Sequence, residues 1–144
     1  MRSYLVVGNQ TLASSELAKV IDELMAAGDP IDVHVVVPAT PVQHGFTWDE
    51  GEARAAARER LDAFMDRLRE LGAEASGEVG SRDPIEAVQD ALRGHPVDEI
   101  ILSTLPTGIS RWLGQDVPTR LRGSVLVPVT VVTATRESVK ASGG

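Results

Sequence analysis

The chain contains no cysteine. That excludes a disulfide framework and any thiolate metal site, and it suits a reducing compartment, so a cytoplasmic location is expected. No apolar run approaches the ~20 residues that span a bilayer, and no membrane partner is expected. The opening stretch, Met1 to Gln10, has too short an apolar segment for a signal peptide and passes straight into a strand pattern. Positive charge is scarce: 14 Lys and Arg stand against 21 Asp and Glu, for a net charge of −7. Broad nucleic-acid binding needs clustered cations that displace counterions, so no nucleic-acid partner is expected either.

The rest is the composition of an ordinary globular chain. Its 144 residues make most simply one domain, long enough for a real core, and 42% of them are apolar. Two apolar runs stand out. Ile100, Ile101 and Leu102 are unbroken, and Val127, Val129, Val131 and Val132 are rich in β-branched residues. Runs without alternation suit strands covered on both faces, as in parallel sheets between helices.

The spacing predicts strands over Tyr4–Val7, Val33–Val37, Ala73–Val79, Asp98–Thr104 and Pro128–Thr133. Helices are predicted between them. Thr11, Ser14 and Ser15 offer N-cap hydroxyls to a helix carrying Leu17, Val20, Ile21 and Leu24 and stopped by Gly28. Thr47 to Glu50 has capping-box spacing. The helix it opens carries a stripe of Ala57, Leu61, Phe64, Leu68 and Leu71 and ends at Gly72. Asp83-Pro84-Ile85-Glu86 supplies an N-cap, a proline at the first helical position and a first-turn acid. That helix is expected to bury Ile85, Val88, Ala91 and Leu92. A last short helix opens near Pro118 and stops near Gly123. The tail from Ala134 to Gly144 is small and polar and is expected to fray, leaving 1–133 as the domain.

Strands alternating with helices imply parallel strands joined by right-handed crossovers. The expected architecture is an α/β three-layer sandwich: a five-stranded parallel sheet, order 3-2-1-4-5, with helices on both faces. In such sheets ligands bind beyond the strand ends, where the strand order reverses. The loop from Ser103 to Gly114 is therefore the first candidate site. Its hydroxyls at Ser103, Thr104, Thr107 and Ser110, with the planar cation of Arg111, suit an anion. The plainer reading is a strand-to-helix connection in which Trp112 and Leu113 plug the core.

The order of these segments resembles the universal stress protein family across nearly the whole chain. Leu5 to Ser14 is similar to that family's opening, with Asn9 where its aspartate falls and Thr11 where its Ser or Thr falls. Val35 to Pro38 looks like its second strand, and Gly80 to Ala87 like the entry to its third helix. Ser103-Thr104 after strand four, with Pro128 to Val132 closing, completes the resemblance. It implies a regulatory module in which an adenine nucleotide (ATP or AMP), or another small anionic ligand, binds at the strand 1/strand 4 crevice. Gly8, Asn9 and Thr11 would meet base and ribose, and Val37 would bound the base. Ser103, Thr104, Gly108, Ser110 and Arg111 would face the phosphates. It also implies a homodimer through strand five, over Val129, Thr130, Val131 and Val132. The alternative for that edge is cover by the tail.

The glycine signature of nucleotide-binding members departs here. Its first two glycines fall on Ser103 and Pro106, and its closing Gly-Ser/Thr pair on Asp116-Val117. Glycines let backbone N–H groups approach phosphate oxygens, whereas proline removes a donor and a carboxylate repels the anion. Asn9 still donates and accepts but carries no charge. A dimeric scaffold that binds no nucleotide is thus the alternative function. A nucleotide hydrolase or nucleotidyl transferase on a related fold is a third, with Asp116 its one obvious metal-binding carboxylate.

Other polar residues read as structural. His34, His44 and His95 do not share metal-ligand spacing, and no metal site is expected. His44, Thr47 and Trp48 fall in the loop after strand two and could line the same crevice; the plainer reading, favoured for His44, is a surface loop with Trp48 packed as a hydrophobic staple. Asp49, Glu50 and Glu52 complement a helix dipole, and Ala53 to Arg60 reads as a solvated helix face. No nucleophile–base pair, nucleophile elbow or P-loop is present, so no catalytic residue is assigned.

Overall fold

The computed structural model describes residues 1–39, 50–106, 108 and 110–135. The predicted helix start at Thr47, the roles considered for His44 and Trp48, and most of the tail lie outside those residues. Five strands run β1 (Arg2–Val7), β2 (Ile31–Pro38), β3 (Glu74–Gly80), β4 (Glu99–Thr104) and β5 (Val129–Thr133). All neighbours pair in parallel, in the order β3-β2-β1-β4-β5. Helices α1 (Ser15–Ala26), α2 (Glu50–Glu70), α3 (Pro84–Gly94), α4 (Arg111–Gly114) and α5 (Val117–Ser124) connect them. The expected architecture is thus the observed one.

Side chains alternate along each strand, so β1, β2 and β4 each feed two cores. Tyr4 and Val6 of β1, with Val33, Val35 and Val37 of β2, pack on Leu17 and Ile21 of α1 and Leu61, Phe64 and Leu68 of α2. Leu5, Val7, Val36, Ile100 and Leu102 face the other way, onto Ala87, Val88 and Ala91 of α3, Trp112 of α4 and Leu121 of α5. This explains the unbroken apolar runs in β1, β2 and β4. β5 is different: within it only Val132 is buried, because the strand lies at the sheet edge. Its valine run therefore does not mark a strand covered on both faces.

Local signals explain most boundaries. Ser14 Oγ accepts the Leu17 N–H at 3.2 Å to cap α1, and Asp83 Oδ1 accepts the Ile85 N–H at 3.0 Å to cap α3. Three details differ from expectation. Leu71 falls beyond the end of α2 and is 47% exposed, so the buried stripe ends at Leu68. In α3 the buried positions are Pro84, Ala87, Val88 and Ala91, while Ile85 and Leu92 are half-buried at the margin. The segment read as a loop to Gly114 contains α4, because Ser110 Oγ accepts the Leu113 N–H at 3.1 Å and starts a helical turn.

Gly77 of β3 sets how closely α2 lies on the sheet. A Cβ there would stand 2.5 Å from Leu61 Cδ1 and 3.0 Å from the Val35 carbonyl oxygen. The carbonyl belongs to the β2 ladder and cannot swing aside. Gly77→Ala is expected to cost about 1–3 kcal/mol through overpacking. In urea unfolding this appears as a lowered midpoint at constant slope. An unchanged midpoint would mean that α2 is not held at this distance.

Candidate functional site at the β1–β4 reversal

β1 connects leftward to β2 with α1 on one face, and β4 sits on its other side, reached from α3 on the opposite face. The chain segments beyond β1 and β4 therefore diverge, which is where open α/β sheets form a crevice. The structure brings Gly8, Asn9, Thr11, Ser103 and Thr104 to this edge, and Val37 lies at the end of the adjacent β2.

The polar groups at this edge are partnered within the protein. Thr11 Oγ1 and Ser103 Oγ share a hydrogen bond of 2.6 Å, and both residues are buried. Thr11 sits in a 3-10 turn, Gln10–Ala13, that the sequence reading merged into the approach to α1. That turn also buries Leu12, and a Cβ at Gly8 would stand 3.1 Å from Leu12 Cδ2 and 3.3 Å from Ser103 Cβ. The side-chain amide of Asn9 donates to the Pro38 carbonyl at 2.8 Å. Its carbonyl accepts from Arg60 Nη1 at 2.6 Å. Thr104 Oγ1 donates to Thr133 Oγ1 at 3.3 Å, tying β4 to β5. Val37 is fully buried in the core under α1 and α2.

Arg60 is the residue that sequence reasoning missed. It lies in the run taken as a solvated helix face, yet it reaches the tip of β1. Burial pushes its guanidinium pKa below the ordinary value, and the neighbouring Glu59 carboxylate opposes that shift. A signal existed: Arg60 stands three residues after Ala57 and four before Phe64, which places it beside the buried stripe.

The other predicted residues go elsewhere. Gly108 is exposed, with φ of 97°. Ser110 is buried and caps α4. Arg111 lines a cleft with Arg82, Trp112 and Arg120, on the face that α3, α4 and α5 cover. Pro106 is buried, and its carbonyl accepts the Ser110 N–H at 3.1 Å. Asp116 is exposed at the start of α5 in the left-handed region, φ 56°, without a side-chain capping bond.

Toward the start of β2 a second polar cluster ties α3 to the sheet. His34 Nδ1 meets Ser76 Oγ at 2.7 Å and its Nε2 meets Glu78 Oε2 at 2.8 Å. The His34 ring stacks on His95, centroids 4.2 Å apart, and His95 Nε2 meets Asp32 Oδ2 at 3.1 Å. Histidines so far apart in sequence carry no spacing signal. Among the described residues no group of three or more His, Asp or Glu side chains is arranged to hold a metal ion.

The Thr11–Ser103 bond has a measurable consequence. Thr11→Val leaves the Ser103 hydroxyl buried and unpaired, and Ser103→Ala does the reverse. Each is expected to cost about 1–3 kcal/mol. The double variant is expected to cost less than the sum, with a coupling of about 0.5–1.5 kcal/mol. Strictly additive losses in denaturant unfolding would show that the two hydroxyls do not depend on each other.

No protein-family profile matches this sequence, and no curated protein sequence matches it. Solved structures do. A universal stress protein family protein from Arabidopsis thaliana, determined with AMP bound, aligns over 95% of this chain and 94% of its own at a TM-score of 0.66 and 8% identity. A family protein from Burkholderia pseudomallei covers 90% and 94% at a TM-score of 0.60 and 18% identity. The universal stress protein from Archaeoglobus fulgidus in complex with dAMP covers 92% and 97% at a TM-score of 0.56 and 20% identity. At such identities the likeness is one of fold, and by strand order, layer arrangement and near-complete overlap this chain has the universal stress protein fold.

Proposed function

We propose that this protein is a cytoplasmic regulatory module of the universal-stress type that works through protein contacts, first among them a homodimer joined along β5. The observation that carries this reading is the state of the β5 edge. Among the described residues β5 pairs with β4 alone. The Ile100 N–H donates to the Pro128 carbonyl and the Ala134 N–H to the Thr104 carbonyl. By the alternation of a parallel ladder, the N–H groups of Thr130 and Val132 turn toward β4, and those of Val129 and Val131 turn outward. The outward Val129 carbonyl accepts from Arg122 Nη2 at 3.1 Å, while the outward N–H groups of Val129 and Val131, on a strand rich in valine, invite pairing with another chain. The approach to the strand is apolar as well: Leu126 is fully exposed, and Val125 and Val127 are only half-buried. Two copies meeting edge to edge would form a closed two-fold pair.

Sedimentation equilibrium tests this. The wild-type chain is expected at twice its 15.4 kDa mass. Val131→Pro removes an outward donor without touching the β4 ladder and is expected to give monomer. A wild-type protein that stays monomeric at concentrations of about 100 μM would overturn the dimer.

A second reading, that an adenine nucleotide binds at the β1–β4 crevice and biases those contacts, is favoured by the AMP and dAMP in two structures of the same fold. Gly8, Asn9, Thr11, Val37, Ser103 and Thr104 would form that site; for Gly108, Ser110 and Arg111 to meet the phosphates, the segment after Thr104 would have to shift, since Ser110 caps α4 and Arg111 lines the α3–α5 cleft. The ligand would have to exchange its own hydrogen bonds for the Thr11–Ser103 bond and for the clamp on Asn9. Thermal melts with AMP, dAMP and ATP decide it. A ligand at a hundredfold its dissociation constant adds about 2.7 kcal/mol of stability, and Thr11→Val is expected to reduce that gain. No change in melting with any of the three leaves the scaffold reading alone.

A further inference from the structure

The odd-numbered residues of β5 turn their backbone away from the sheet. The Ile100 N–H donates to the Pro128 carbonyl and the Ala134 N–H to the Thr104 carbonyl, each at 2.9 Å, so even positions face β4. Alternate residues of a parallel ladder face opposite sides, which leaves Val129, Val131 and Thr133 outward. The first of their carbonyls is not bare. Arg122, in the last turn of α5, folds back and donates from Nη2 to the Val129 oxygen at 3.1 Å. Among the described residues no carboxylate pairs with Arg122, so its charge is directed to the strand edge.

The opposite edge carries the same device. The Ala39 N–H donates to the Gly80 carbonyl at 3.2 Å, which turns the even positions of β3 toward β2 and leaves Ala75, Gly77 and Val79 outward. Arg69, in the last turn of α2, donates from Nη2 to the Ala75 oxygen at 3.2 Å. Helices on opposite faces of the sheet thus each send a last-turn arginine over the strand that follows, onto its first outward carbonyl. A charged side chain laid on an edge strand blunts its pairing with another chain. β3 adds the like charges of Glu74 and Glu78, whereas β5 carries no charged side chain of its own. Closure of the β5 edge therefore rests on Arg122.

From this we infer that Arg122 is an autoinhibitory guard on the β5 edge, and that the partner it works against is a second copy of this chain. The inference rests on the dimer reading above and adds its control. The outward set is symmetric about Val131, so two copies related by a two-fold axis pair Val131 with the partner's Val131 and Val129 with the partner's Thr133. The incoming Thr133 N–H then reaches for the carbonyl that Arg122 holds. A charge-assisted bond is stronger than the neutral amide bond that competes with it. The ends of the ladder therefore close only when the guanidinium shares or leaves the Val129 oxygen. The guard weakens pairing without forbidding it, since the bonds at Val131 are untouched.

Sedimentation equilibrium of the full chain over a concentration series tests the guard. Arg122→Ala is expected to tighten self-association about tenfold, because a guard is lost from each of the two copies. Arg120→Ala makes the same charge change in α5, on a side chain that lines the α3–α5 cleft, and is expected to stay within about twofold of wild type. Adding Val131→Pro to Arg122→Ala is expected to abolish the gain, which places the association on β5. The two readings fail separately. A dimeric wild type whose self-association is unchanged in Arg122→Ala overturns the guard and leaves the dimer. A monomeric wild type overturns the dimer, and a dimer that appears in Arg122→Ala then supports the guard; monomer in both overturns both. An equal gain in Arg120→Ala overturns the guard, since the effect would be one of net charge. So does a gain that survives Val131→Pro.

Discussion

A sheet that is apolar on both faces must be covered on both faces, and the rest of this molecule follows from that requirement. β1, β2 and β4 each bury alternate residues in opposite directions. Removing either helical layer would expose fully buried leucines, isoleucines and valines, each worth about 1.5–3 kcal/mol on burial. Right-handed crossovers then allow few arrangements. The connections from β1 and to β4 must leave on opposite faces, and a gap must open between their ends. The crevice is thus a by-product of covering the sheet, present whether or not anything binds in it.

How the gap is filled is particular to this chain. A polar group left unpaired in a closed gap costs about 1–3 kcal/mol, so hydroxyls there need partners. Thr11 and Ser103 serve one another, and the 3-10 turn that presents Thr11 also pushes Leu12 into the core. Asn9 is held between the end of β2 and α2 through Pro38 and Arg60. The effect is to tie the tips of β1, β2 and β4 and the middle of α2 into one rigid rim. A contact made along β5 would be felt at this rim through Thr104, which bonds Thr133 across the strand pair.

The fold was legible in the sequence for a physical reason. The strand runs of β1, β2 and β4, the caps at Ser14 and Asp83 and the Pro at the start of α3 are local signals, and each agreed with the tertiary requirement. The site was legible only as a place. Which hydroxyl meets which depends on residues 92 apart in sequence, and no spacing encodes that. Arg60 was hidden because a helix face rich in Arg, Glu and Ala reads as solvated unless the rim it leans on is known. Arg111 was assigned to an anion from its chemistry. Its neighbours Arg82 and Arg120 emerge only when α3 and α5 pack together. The short α4 escaped because a single capped turn carries too few residues for a period to show.

Magnitudes also decide how much the closed crevice excludes. A buried hydroxyl pair contributes about 0.5–1.5 kcal/mol net, so opening it lowers a ligand's affinity by about two- to tenfold. A micromolar nucleotide complex represents about 8 kcal/mol, and one hydrogen bond cannot forbid it. The stronger obstacles are backbone ones. Pro106 has no N–H to give a phosphate oxygen, and the carboxylate of Asp116 stands where the resemblance would place a glycine. Those losses fall on the phosphate end of any ligand, whereas the Asn9 end keeps donors and acceptors in place. Arg82, Arg111 and Arg120 line a cleft on the α3–α5 face. The strand tips of this fold therefore enclose a rim of mutually paired polar groups, with the Asn9 side chain held between β2 and α2.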